Sequence, residues 1–235
     1  MMQSHAGAAL DLVGWGVGKK PQHGAAKRRV FLLSPANLSG RRAGYLLSPR
    51  SKFELATRVG GEGAPLGEVF SFVSGLYFRG KLAYARAFAV EKLETSVHVI
   101  TAAQGLMSPL ARIVHDDLRA MADVKIHQEN PAYRSPLVRD AAKLAAELDE
   151  DDEVVLLGSI ATPKYLEPLS EVLGTRLMVP AEFIGRGDMS RGALMLRAVR
   201  EMKQLEYVAA SLAAVKRRKA KKPGAKPAES RKVAS

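Results

Sequence analysis

Apolar residues fall along this chain in two kinds of run, short continuous or alternating stretches and longer stretches spaced by three or four. Arg29–Ser34 (RVFLLS) is a continuous apolar run that stops at Pro35, the pattern of a buried strand. Ser96–Ala102 (SVHVITA) alternates and is rich in β-branched residues, which predicts a second strand closed by Gln104-Gly105. Glu153–Leu157 (EVVLL) follows the acidic turn Asp149–Asp152 and predicts a strand buried on both faces. Arg176–Val179 (RLMV) gives a fourth strand, ending at Pro180, and Leu205–Val208 a strand at the sheet edge. From Glu68 the spacing becomes helical, with Leu76, Phe78, Leu82, Ala85 and Phe88 at intervals of three or four and Ser74 in position to cap. Gly80 interrupts that stretch at a cost of about 1 kcal/mol relative to alanine, which calls for a closely packed neighbour or a bend. His115–Met121 predicts a short helix. Ser135-Pro136 predicts the start of a longer one, with Leu137, Ala141, Leu144, Ala145 and Leu148 on one face. Thr162-Pro163 opens a further helix to about Leu173, kinked or shortened by Pro168 and ended by Gly174, and a last helix is expected from Ser190 to about Lys203. Residues 35–66 hold Pro49, Gly60, Gly61, Gly63 and Pro65 and predict no regular element.

Strands alternating with helices predict an α/β fold, a single three-layer Rossmann-like domain with a mostly parallel sheet. The expected domain spans residues 29–210, between a flexible N-terminal segment, 1–28, and a disordered basic tail, 211–235.

Charge sharpens this division. The net charge is +12 over 235 residues. Nine Lys and Arg against Glu229 lie in 216–235, and Lys19, Lys20, Lys27, Arg28 and Arg29 against Asp11 lie in 1–30, which leaves 31–215 electrically balanced. The basicity therefore belongs to the ends. A tail of this composition cannot bury apolar surface, and it suits non-specific binding of DNA or RNA through phosphate neutralisation; the other reading is a solubilising extension. The chain has no cysteine, which removes disulfides, thiolate metal sites and cysteine nucleophiles and fits a reducing cytoplasm. No apolar run approaches the roughly 20 residues that cross a bilayer, and the first residues lack a basic stretch and a cleavage pattern, so neither a membrane span nor a secretory signal is expected. His115, with Asp116 and Asp117, has no second histidine at metal spacing, and no metal or cofactor is expected.

In open α/β sheets ligands bind outside the carboxyl ends of the strands. Four loops qualify: Ser34–Ser39, Ala102–Leu106 with Gly105, Gly158–Thr162, and Phe183–Gly192. Within the last, Gly185-Arg186-Gly187-Asp188-Met189-Ser190-Arg191-Gly192 offers Arg186 and Arg191 as grips for a phosphate or carboxylate. Asp188 there serves as a base or as a helix-start residue. Gly158 and Ser159 form an anion-facing turn or an ordinary strand-to-helix connection. Arg79, Lys81 and Arg86 alternate with Tyr77, Phe78, Tyr84 and Phe88, a pattern that stacks bases and neutralises phosphates, or else a core face with solvated cations. Glu68 offers a second carboxylate. No P-loop, no G-x-G-x-x-G after a strand and no G-x-S-x-G occurs.

Leu76-Tyr77-Phe78-Arg79-Gly80-Lys81-Leu82-Ala83-Tyr84-Ala85, followed by Thr101-Ala102-Ala103-Gln104-Gly105-Leu106, resembles an uncharacterised bacterial and phage α/β domain family. Its members carry an L-Y-x-S-x-L-F-R-K-x-x-x-Y-A helix and a strand ending S-A-K-Y-G-L; here Ala103 and Gln104 replace the lysine and tyrosine. Glu153–Ala161 (EVVLLGSIA) is similar to the strand–turn–helix of uracil-DNA-glycosylase-like domains, without their G-Q-D-P-Y and H-P-S motifs. That resemblance implies a small three-layer domain and a nucleobase or nucleic-acid ligand. Three functions follow as expectations. The first is a nucleic-acid- or nucleotide-associated protein binding a phosphate-bearing ligand through Arg186, Arg191, Gly158, Ser159, Arg79 and Gly105. The second is an N-glycosidase or nucleoside-type hydrolase with Asp188 or Glu68 as base, and the third a non-catalytic interaction scaffold.

Overall fold

A six-stranded sheet forms the centre of the molecule in a computed structural model that describes residues 27–89, 93–211 and 213. Its strands are β1 (Arg29–Leu33), β3 (Val97–Ile100), β4 (Leu106–Met107), β6 (Glu153–Leu157), β7 (Leu177–Pro180) and β8 (Tyr207–Ala209), in the spatial order β4-β3-β1-β6-β7-β8. The four inner strands run parallel, and the two outer ones pair antiparallel. A separate two-stranded ribbon joins β2 (Ala64–Pro65) to β5 (Arg112–Ile113). The fold is thus a mixed α/β structure on a mostly parallel sheet, as the alternation of elements predicts.

Burial follows from the sequence of the strands. Val30, Phe31, Leu32 and Leu33 are all fully buried, as are Val154 to Leu157. Successive side chains of a strand face opposite ways, so these runs require cover on both faces. Nine helices, counted among the described residues, connect the strands: α1 (Arg41–Leu47), α2 (Glu54–Gly60), α3 (Leu66–Ser74), α4 (Leu76–Phe88), α5 (Leu93–Ser96), α6 (His115–Asp123), α7 (Pro131–Ala146), α8 (Pro163–Leu173) and α9 (Asp188–Arg200). They gather as two groups, with α4 packed on α9 and on α3, and α7 packed on α8. Phe31 meets Tyr84 of α4 edge to face at 6.0 Å, which fixes α4 over the middle strand.

Several expectations are corrected. Residues 35–66 contain α1, α2 and β2. The helical stretch after Glu68 is two helices broken at Gly75 (φ +60°), so Ser74 ends α3 and caps nothing. α7 starts at Pro131, where the Asn130 side chain accepts from the Ala132 N–H, and Pro136 lies inside it. α8 runs through Pro168, which is buried in its packed face. α9 begins at Asp188, two residues before the expected start. Asp152 is a buried member of the acidic turn, accepting from the backbone N–H groups of Arg28 and Asp149. Lys27 pairs with Glu153, so the folded part reaches slightly ahead of residue 29. Residues 1–26 and 214–235, which hold nearly all of the expected flexible segment and basic tail, lie outside the described residues.

Candidate functional site

Three inner strands end at one cleft. β1 and β6 run in register over Arg29–Leu33 and Glu153–Leu157, and Ser34 N–H still donates to the Leu157 carbonyl, which sets Ser34 beside Gly158. That approach is tight: a Cβ at 158 would stand 3.0 Å from Ser34 Cβ and 3.2 Å from Leu156 Cδ1, so both side chains would have to shift to admit it. The chain leaves β1 toward β3 on one side and crosses to β6 on the other, so the strand order reverses at β1. Parallel sheets hold their ligands at such a point. A cavity of about 640 Å³ opens there. Its wall includes the loop Ser34–Ser39, Ser74 and Tyr77 at the α3–α4 junction, Ala102 after β3, Lys125 after α6, Ser159 after β6, Lys164 and Tyr165 in the first turn of α8, and Asp188 opening α9.

Behind Ser34 lies the most unusual group of the molecule. Lys81 is fully buried, and its Nζ donates to the Ser34 carbonyl oxygen and lies 2.9 Å from Ser34 Oγ. The rings of Tyr77 and Phe78 stand 4.4 and 4.9 Å from Nζ. Burial pushes the Lys81 ammonium down to about 7, against a smaller upward pull from Asp188. The Tyr77 hydroxyl is buried without a hydrogen-bond partner among the described residues. Burial pushes its pKa up to about 12, although Arg191 and Ser34 are near enough to hold it down.

Arg191, only 4 % exposed, donates to Asp188 Oδ1 at 3.2 Å and to the Phe183 carbonyl at 3.1 Å, while its Nε has no partner among the described residues. Two buried donors, Tyr77 O–H and Arg191 Nε–H, therefore have no acceptor among the described residues. Asp188 is itself mostly exposed. Asp188→Asn removes the charge that faces a buried guanidinium and should lower stability by about 1 kcal/mol, the exposed end of the pair being screened; urea unfolding at neutral pH measures it.

The expected site residues divide. Asp188, Ser159 and the Ser34–Ser39 loop line the cleft, Gly158 seats Ser34, and Arg191 lies behind Asp188. Arg186 is exposed, bonded to Ser190 Oγ, and is not part of the cleft wall. Glu68 and Arg79 line a separate shallow groove with Arg42 and Phe53, and Glu68 forms a two-pronged pair with Arg58. Gly105 makes a turn at φ +73° against α7, where a Cβ would come 2.2 Å from Asp140 Oδ2, a packing reason for glycine. Tyr77, Phe78, Tyr84 and Phe88 are core residues, and they present no stacking platform to Arg79 and Arg86.

Lys81 is the group that inspection of the sequence misplaces among solvated cations. The signal was there: Lys81 shares the face of Tyr77, Phe78, Tyr84, Ala85 and Phe88 at helical spacing. Arg191 stands likewise in line with Gly192, Met195 and Ala198. Among the described residues no group of three or more His, Asp or Glu is placed to hold a metal, and no helix is long and apolar enough to cross a membrane. No family model, no curated protein and no solved structure matches this chain.

Proposed function

We propose that the chain is a nucleotide- or nucleic-acid-associated protein whose Rossmann-like strand-end cleft takes a phosphate- or carboxylate-bearing small molecule. The observation that carries this reading is the meeting of Ser34, Ala102, Ser159 and Asp188, from four distant parts of the sequence, around one cavity. Its volume, about 640 Å³, falls within the range of small-molecule sites. Its wall combines aromatic side chains (Phe70, Tyr77, Tyr165) with two cations (Lys125, Lys164), two carboxylates (Asp123, Asp188) and the first turn of the 11-residue helix α8. Cations beside a helix N-terminus suit a phosphate. The basic ends of the chain add affinity for polyanions.

Calorimetric titration of the full chain with nucleoside monophosphates and diphosphates tests the reading. The expected result is saturable binding that Lys164→Ala weakens about tenfold, the loss of one charge-assisted contact. Absence of saturable binding across the panel, or binding untouched by Lys164→Ala and by neutralising the lysines and arginines of 216–222, sinks it. Of the two carboxylates expected for the hydrolase alternative, Asp188 lines the cleft and Glu68 lies elsewhere, while Asp123 lines the cleft as well.

A further inference from the structure

We infer that Ser34 and Lys81 form a nucleophile–base pair for acyl transfer, acting on an ester or amide of a small molecule held in the strand-end cleft. The placement rests on geometry. Ser34 lines the cleft while its Oγ lies 2.9 Å from Lys81 Nζ, within the reach that a base and a nucleophile need. Lys81 is fully buried, and among the described residues no carboxylate is bonded to it. A neutral amine satisfies both contacts: one N–H donates to the Ser34 carbonyl and the lone pair accepts from the Ser34 hydroxyl. Of the charged groups, Asp188 of α9 acts on Lys81, Arg191 of α9 acts on Tyr77, and Asp123, Lys125 and Lys164 share the cleft wall with Ser34; the phenols Tyr77 of α4 and Tyr165 of α8 line the same wall. Asp188 is engaged with Arg191, so among the described residues Lys81 has no dedicated counter-ion.

The Tyr77 hydroxyl completes the arrangement. It is buried, it lacks an acceptor among the described residues, and it stands near Ser34. Its raised pKa keeps it protonated and able to donate to an oxyanion.

Ser34 Oγ bonds to the carbonyl carbon as Lys81 Nζ takes the hydroxyl proton. The carbon–oxygen or carbon–nitrogen bond of the leaving group then breaks, and that group receives the proton from Lys81. Water next attacks the acyl-serine, passing a proton through Lys81 to Ser34 Oγ and releasing a carboxylic acid. Serine–lysine pairs support this chemistry without histidine.

A fluorophosphonate probe tests the assignment, since its phosphorus bonds to an activated serine oxygen with loss of fluoride. With the full chain we expect one adduct, located at Ser34 by peptide mass spectrometry, forming faster as pH rises, with a midpoint near 7. Ser34→Ala should give none, and Tyr77→Phe should slow labelling about a hundredfold with the midpoint unmoved. Lys81→Met should abolish the pH midpoint. Ser34→Cys offers a check that does not depend on that variant folding, because the sequence contains no cysteine and the new thiol is the chain's single one. Its alkylation by iodoacetamide should titrate below the ordinary thiol value of about 8.5, as Lys81 stabilises the thiolate.

Absence of a Ser34 adduct, labelling indifferent to Lys81, or a thiol titrating at or above about 8.5 overturns the assignment. The inference rests on the cleft being a ligand site, but the two readings fail separately. Labelled Ser34 without nucleotide binding removes the nucleotide and leaves the pair. Nucleotide binding with inert Ser34 does the reverse.

Discussion

Gly80→Ala should lower the melting temperature, by up to about 10 °C, although alanine is the better helix former. The reason is the crossing of α4 and α9. A Cβ at residue 80 would stand 2.8 Å from the Gly192 carbonyl oxygen and 3.2 Å from its Cα, and a Cβ at Gly192 would stand 3.0 Å from Tyr77 Cα. The obstacles are backbone atoms, so relief requires the two helices to move apart. Overpacking of this kind costs about 1–3 kcal/mol, more than the 0.5–1 kcal/mol or so that alanine gains over glycine within a helix. For a chain of this size each kcal/mol is worth about 2–4 °C. Gly44→Ala is the contrast: Gly44 lies inside α1 with nothing within 4 Å of its added Cβ, and it should raise the melting temperature by a degree or more. Scanning calorimetry on both variants decides the matter. A melting temperature for Gly80→Ala at or above that of the parent would show that α4 and α9 adapt freely.

The second large effect is on the pH dependence of stability. In the unfolded chain Lys81 titrates at its ordinary value, 10.5, and in the folded protein at about 7. Above both values the side chain is neutral in either state and folding suffers nothing. Between them the unfolded chain binds a proton that the folded one refuses, so stability falls as pH falls, by up to about 1.4 kcal/mol per pH unit. Below pH 7 both states are protonated and the penalty is complete. Lys81→Met keeps the length and apolar stem without the amine. Urea unfolding of both proteins at pH 7, 8 and 9 should show the parent gaining on the variant at close to that slope. Parallel curves would mean that Lys81 stays charged in the folded protein, stabilised by the rings of Tyr77 and Phe78, and would remove the base from the serine–lysine assignment as well.

The inner strands were legible because their chemistry is unambiguous. RVFLL and EVVLL are continuous apolar runs closed by a proline or opened by an acidic turn, and both became strands buried on two faces. The helices α1 and α2 were not, because each has seven residues and buries only two or three of them. Too little periodicity accumulates over such a length. The start of α7 was misplaced since two prolines compete for the first turn, and the Asn130 cap settles it at Pro131.

The strand-end rule brings Ser34, Ser159 and Asp188 to one cleft, because it depends only on strand order. It could not separate Arg186, which stays exposed, from Arg191, which is buried. That distinction comes from where α9 lies against α4, a tertiary fact. Lys81 was hidden for a different reason: charge is taken as a mark of solvent, and here a helix face otherwise wholly apolar carries it inward.

The outermost strands carry one further consequence. β4 has two residues and β8 three, and both run against the direction of their neighbours. Edges so brief and reversed give an incoming chain almost no template on which to continue the hydrogen-bonded ladder. Growth into fibres by strand addition is thereby discouraged.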